Sequence, residues 1–142
     1  MLRNVTLFVI GSLAFLGGCN TGISDKNIVF VSSSEVESLM QGGDTSLFGT
    51  SKAAILVDPR IPWQYNQGHI PGSMNLPLER LFIDAWQLDG YGIVIVSGKT
   101  WNDAVSIAMS KELIKKGFKD VRTLKGGLTG WTKSGRPVEK GL

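Results

Sequence analysis

Short apolar or β-branched stretches, most of them unbroken, alternate with helix-period segments along most of the chain. Residues 28–31 (Ile-Val-Phe-Val), 54–57 (Ala-Ile-Leu-Val), 93–96 (Ile-Val-Ile-Val) and 121–124 (Val-Arg-Thr-Leu) are bounded by polar or turn-forming residues. Runs of this kind predict strands, and the second and third read as buried on both faces. After the first, Ser34 and Glu37 stand at capping-box spacing and predict a helix through Met40 that stops at Gly42-Gly43. Residues 44–52 read as a polar loop. Pro59 and Pro62 end the second strand, and a turn-rich stretch follows. Leu78, Leu81, Phe82, Ala85 and Trp86 recur at helical spacing and predict a helix over 78–88. A longer helix over 104–116 has Asn102 or Asp103 as N-cap, lysines in its last turn and Gly117 just beyond it. Gly126-Gly127 and Gly130 bracket a final helical turn carrying Trp131. Strands alternating with helices, through connections too long for hairpins, predict an α/β fold with a mainly parallel sheet.

The 142 residues suffice for one domain with a real core. The 15 basic and 12 acidic side chains are interspersed, and a net charge of +3 leaves no electrostatic footprint for nucleic acid. One Cys and one His exclude an intramolecular disulfide, a Cys-based zinc site, a CxxC redox pair and a His-rich metal cluster. Acidic residues are too scattered for a calcium loop, so no metal and no cofactor are expected.

The start of the chain is different. A single charge, Arg3, precedes the apolar run 5–16, the order of a secretory signal and too short for a permanent membrane span. Leu16-Gly17-Gly18-Cys19 then resembles the bacterial lipobox, which implies cleavage before Cys19 and acylation of its sulfur and new amino group. The division expected is a signal peptide over 1–18, an acylated Cys19 with a tether over 19–27, and a folded domain over 28–142. The membrane is then a partner through the lipid on Cys19, several acyl chains giving firm anchoring where one gives little. Placement in the cell envelope follows, facing the periplasm or exterior. Asn20 after the Cys favours the outer membrane. Lys111, Lys115, Lys116 and Lys119 read as a solvated helix face rather than a lipid-binding patch.

Three further segments are similar to the rhodanese-like (sulfurtransferase) family. The first is Leu56-Val57-Asp58-Pro59-Arg60 with Tyr65, Gly68-His69-Ile70-Pro71-Gly72-Ser73 and Asn75-Leu76-Pro77. The second is the strand 93–96 with its loop and helix, closing on Gly117-Phe118-Lys119-Asp120-Val121. The third is Leu124-Lys125-Gly126-Gly127-Leu128, Trp131 and Gly135-Arg136-Pro137-Val138. The resemblance spans nearly all of 28–139 and implies a three-layer fold, a mainly parallel sheet with helices on both faces. It gives Asp58 and Arg60 supporting positions after a central strand. It makes His69 a packed, hydrogen-bonded turn residue rather than a general base, and Trp131 a packing residue. Trp63 and Trp86 are expected against the edge of the core.

In the family the third strand delivers a Cys into a loop whose backbone N–H groups and following helix N-terminus stabilise a thiolate and then a persulfide. Here that loop reads Val96-Ser97-Gly98-Lys99-Thr100-Trp101-Asn102-Asp103. The Cys position falls on Ser97, or on Val96 in a second alignment, and no Arg closes the loop. A Ser hydroxyl is a weak nucleophile without an adjacent base, and a persulfide requires sulfur. Ester chemistry through Ser97 meets the same lack of a base. Loop 97–103 keeps donors for a small anion or a partner's carboxylate, with Trp101 either an aromatic platform or, as the residue type favours, a filler of lost active-site volume. The expectation is a catalytically silent, lipid-anchored binding or scaffolding module. The alternative is a sulfurtransferase half whose Cys comes from a partner protein.

Overall fold

In the computed structural model, residues 22–42 and 53–141 are described. The leader, Cys19 and the whole of the expected polar loop 44–52 lie outside them. The strands are β1 (Val29–Val31), β2 (Ala54–Asp58), β3 (Met74–Asn75), β4 (Ile93–Val96) and β5 (Val121–Leu124). The helices are α1 (Ser33–Met40), α2 (Pro62–Gln67), α3 (Leu81–Asp84), α4 (Ala104–Lys115) and α5 (Gly127–Lys133). The strands form one five-stranded sheet in the order β1-β5-β4-β2-β3, and every pairing is parallel.

Alternate residues of the central strands feed two cores. Leu56, Ile93, Ile95 and Leu124 pack under Val36 and Leu39 of α1 and Leu128 and Trp131 of α5. Ile55, Val57, Val94, Val96 and Val121 face the other way, against Leu81, Leu88, Met109 and Leu113. That two-sided burial is why these strands are unbroken apolar runs.

Three local expectations are corrected. The capping box of α1 uses Ser32 and Glu35: the Ser32 N–H donates to Glu35 Oε2 at 2.7 Å, and the Glu35 N–H to Ser32 Oγ at 3.3 Å. Glu37 instead accepts from Arg136 at 2.8 Å. The turn-rich stretch after β2 holds α2, with Pro62 opening it at a first-turn position where its missing N–H costs nothing, and the two-residue β3. Residues 78–88 are a 3-10 turn, the single turn α3 and a second 3-10 turn. Because 3-10 segments carry about three residues per turn, the apolar stripe rotates. Leu81 and Leu88 reach the core, while Phe82 and Trp86 are 84% and 66% exposed. Trp63, also placed at the core edge by sequence, is exposed too.

Part of the stretch read as tether is structured. Asp25–Asn27 form a 3-10 turn against α4, where Asp25 pairs with Lys111.

Candidate functional site

The register sets Leu56 beside Ile95 and Val57 beside Val96, so β2 and β4 end level with each other. From β2 the chain moves outward to β3, then crosses to β4 on the other flank. The carboxyl ends of such diverging strands are where open α/β sheets leave a crevice. A cleft of about 730 Å³ opens there, walled by Ile61, Trp63, Leu78 and Val105 and reached by Lys99 and Asp103.

At the end of β2, Asp58 and Arg60 form a buried pair. Arg60 Nε donates to both Asp58 oxygens at 2.9 and 3.1 Å, and Nη2 donates to Oδ2 at 2.5 Å and to the Gly68 carbonyl at 2.8 Å. The Arg60 guanidinium is therefore committed to Asp58 and the Gly68 turn. His69 is buried, stacked on Tyr65 with centroids 3.7 Å apart, and its Nδ1 lies 3.0 Å from the Tyr65 carbonyl. Its backbone exchanges two bonds with Glu139, fastening the C-terminal segment to the 68–73 turn. It does not line the cleft.

At the end of β4, Val96 is inside the strand and packs in the core facing α4. Ser97 is the first residue past it. Its N–H donates to the Val57 carbonyl at 2.8 Å, and its buried Oγ has no hydrogen-bond partner. The loop that follows is fastened from two sides. From α4, the Asp103 carboxylate caps the helix by accepting the Val105 N–H at 2.9 Å on Oδ1, while Oδ2 reaches back to accept the Lys99 N–H at 2.5 Å. From α5, the Leu128 N–H donates to the Gly98 carbonyl at 2.9 Å, and the Thr129 N–H and hydroxyl donate to the Lys99 carbonyl at 3.0 and 2.9 Å.

Glycines permit both approaches. A β-carbon at Gly98 would stand 2.7 Å from Asp103 Oδ2, and one at Gly127, where φ is +55°, would stand 2.5 Å from the Gly98 oxygen. The second of the paired glycines before Trp131 thus serves the loop directly.

The negative end of this loop is its own. A helix N-terminus and a turn of backbone donors favour an anion, and the Asp103 carboxylate already sits on the α4 N-terminus and on one loop N–H.

Of the eight loop positions singled out by sequence, Lys99 and Asp103 reach the cleft. Thr100 lies on the outer surface, Asn102 borders a separate groove with Asp25 and Lys111, and Trp101 is 67% exposed, which removes its reading as a volume filler. The apolar wall of Ile61, Trp63, Leu78 and Val105 went unnoticed in the sequence. A Trp directly after a strand-ending Pro was the available signal.

The decisive comparison is with protein families: the sequence model described as the Rhodanese-like domain matches residues 25–134. The chain belongs to the rhodanese-like domain family. Solved structures resemble this rhodanese-like chain over most of its length. The Alr3790 protein from Anabaena sp. is 27% identical, with 79% of this chain and 81% of that one covered and a TM-score of 0.62. The BH2092 protein from Bacillus halodurans is 20% identical over 81% of this chain and 79% of its own, with a TM-score of 0.66. A thiosulfate sulfurtransferase from Pseudomonas aeruginosa is 24% identical over 83% of this chain, which spans 21% of it, with a TM-score of 0.68. The last two show the fold alone.

Proposed function

We propose that this rhodanese-like domain is a catalytically silent binding module, lipid-anchored through Cys19 and working outside the cytoplasm, with the cleft at the ends of β2 and β4 as its recognition surface. The observation that carries the reading is the loop after β4. Ser97 stands at its head where the family resemblance asks for sulfur, no base accompanies the Ser97 hydroxyl, and Asp103 places a carboxylate on the α4 N-terminus. A persulfide has no atom to form on, and a thiosulfate dianion would meet like charge. The wall of Ile61, Trp63, Leu78 and Val105 instead suits a ligand with an apolar body, positioned by Lys99 at its rim.

The test is sulfane-sulfur transfer from thiosulfate to cyanide by protein lacking residues 1–21, together with mass measurement after thiosulfate treatment. The reading predicts no thiocyanate above the uncatalysed rate and no 32-Da adduct; either one overturns it. A second reading, in which a partner protein brings the Cys, is favoured by the cleft remaining open beside the loop. It predicts that the Cys-free chain accelerates transfer by a Cys-bearing sulfurtransferase, which the binding-module reading does not.

A further inference from the structure

A second exposed apolar feature lies at the opposite edge of the sheet from the cleft. Phe82, Ile83 and Trp86 are 84%, 65% and 66% exposed and occupy neighbouring turns of one short helical segment. Lys116 Nζ stands 4.4 Å from the Phe82 ring centroid. Beside it, Lys116, Phe118, Lys119 and Tyr91 border a shared groove. Tyr91 comes just before β4, and residues 116–119 just before β5, so this patch sits at the amino-terminal edge of the sheet.

We infer that this face rests on a bilayer bearing anionic headgroups, with Phe82, Ile83 and Trp86 in the interface and Lys116 and Lys119 against the lipid phosphates. Large aromatic and aliphatic side chains flanked by lysines are the composition of an interfacial surface. Near a negative leaflet each such lysine adds attraction that a neutral partner would not supply. The nearby charges do not cancel this. Lys115 is paired with Glu112 and Arg80 with Asp84, which leaves Lys116 and Lys119 facing Asp89.

The course of the chain agrees. The described residues begin on the α4 layer, where Asp25 pairs with Lys111. Six residues from Cys19 to Asp25 reach about 20 Å when extended. Lys116, the C-cap of α4, lies about 7.5 Å farther along the axis than Lys111 and about 140° round it, roughly 13 Å across the helix and within that reach. A lipid on Cys19 and the Phe82 patch can therefore meet one membrane, and the cleft then faces away from it. In the sequence alone these lysines read as a solvated face; the exposed Phe82, Ile83 and Trp86 beside them change that.

The inference rests on the anchoring proposed above, and one experiment separates the two. Full-length protein is reconstituted into vesicles of phosphatidylglycerol and brominated phosphatidylcholine, its intact mass is recorded, and bromine quenching is read from tryptophan fluorescence. Trp86→Phe is expected to cut the quenched amplitude about twofold or more, while Trp63→Phe and Trp101→Phe leave it unchanged. In the Lys116→Glu/Lys119→Glu variant, quenching falls in phosphatidylglycerol vesicles and not in vesicles of phosphatidylcholine alone. Quenching carried by Trp63 or Trp101, or unaffected by Trp86→Phe, overturns the inference and assigns the face to a protein partner. An acylated chain with unquenched Trp86 removes the face and keeps the anchor. An unacylated chain with quenched Trp86 does the reverse.

Discussion

Replacing Asp103 by Ala removes two bonds with one change. Oδ1 caps α4 through the Val105 N–H, and Oδ2 holds the Lys99 N–H of the loop. Loss of an N-cap costs about 1 kcal/mol. The second bond, to a charged but partly solvated acceptor, adds about 1 kcal/mol more. The expected destabilisation is therefore about 2 kcal/mol, and with a urea slope near 2 kcal/mol/M the midpoint falls by about 1 M at constant slope. Asp103→Asn separates the contributions. It keeps a cap acceptor at Oδ1 and loses the charge-assisted bond to Lys99, so about half the effect remains. Amide hydrogen exchange gives the local readout: the Lys99 N–H loses protection in both variants, the Val105 N–H mainly in the Ala variant. A midpoint within 0.2 M of the parent for Asp103→Ala, or unchanged Lys99 protection, would refute the view that this carboxylate organises the loop.

Other outcomes follow from the same geometry. Asp58→Asn leaves the Arg60 guanidinium buried without its counter-ion, at side-chain exposures of 4% and 1% for the pair, and urea titration is expected to show a loss of about 3–5 kcal/mol. Gly127→Ala drives a β-carbon onto the Gly98 oxygen from a positive φ, so a loss of more than about 1 kcal/mol is expected, with NMR shift changes spreading through 97–101. Glu35 is held below the ordinary glutamate range, first by the Ser32 hydroxyl donating to it at 2.6 Å and then by the Ser32 N–H. Its folded pKa is depressed, so its contribution is present above the unfolded value and lost as pH falls through the folded one. NMR titration should place its midpoint below an unperturbed glutamate, and Ser32→Ala, which removes the hydroxyl but keeps the backbone N–H, should move it part of the way back.

Four of the five strands were legible because β1, β2 and β4 lie largely within short apolar runs and β5 is a short stretch between polar residues, and α4 because Asp103 and Gly117 mark its ends. What escaped has identifiable physical causes. α2 is short and polar, opened by a Pro that reads equally as a strand breaker, and β3 has only two residues. Spacing along 78–88 presumes a single helix, and the change to 3-10 geometry at both ends turned Phe82 and Trp86 outward. In the loop, the order of residues narrowed the Cys position to Ser97 or Val96 and the cap to Asn102 or Asp103. It could not show that the second Asp103 oxygen folds back on Lys99, nor that Gly127, far along the chain, leaves room for the Gly98 carbonyl; both are contacts between elements, set by the sheet's register.

The most direct measurement is thiosulfate-to-cyanide sulfur transfer by the chain without residues 1–21, run beside Ser97→Cys and Ser97→Cys/Asp103→Ser. The account predicts a silent parent, with turnover appearing once sulfur stands at the head of the loop and rising when the competing carboxylate is removed. Turnover by the parent, which has no thiol, would contradict it.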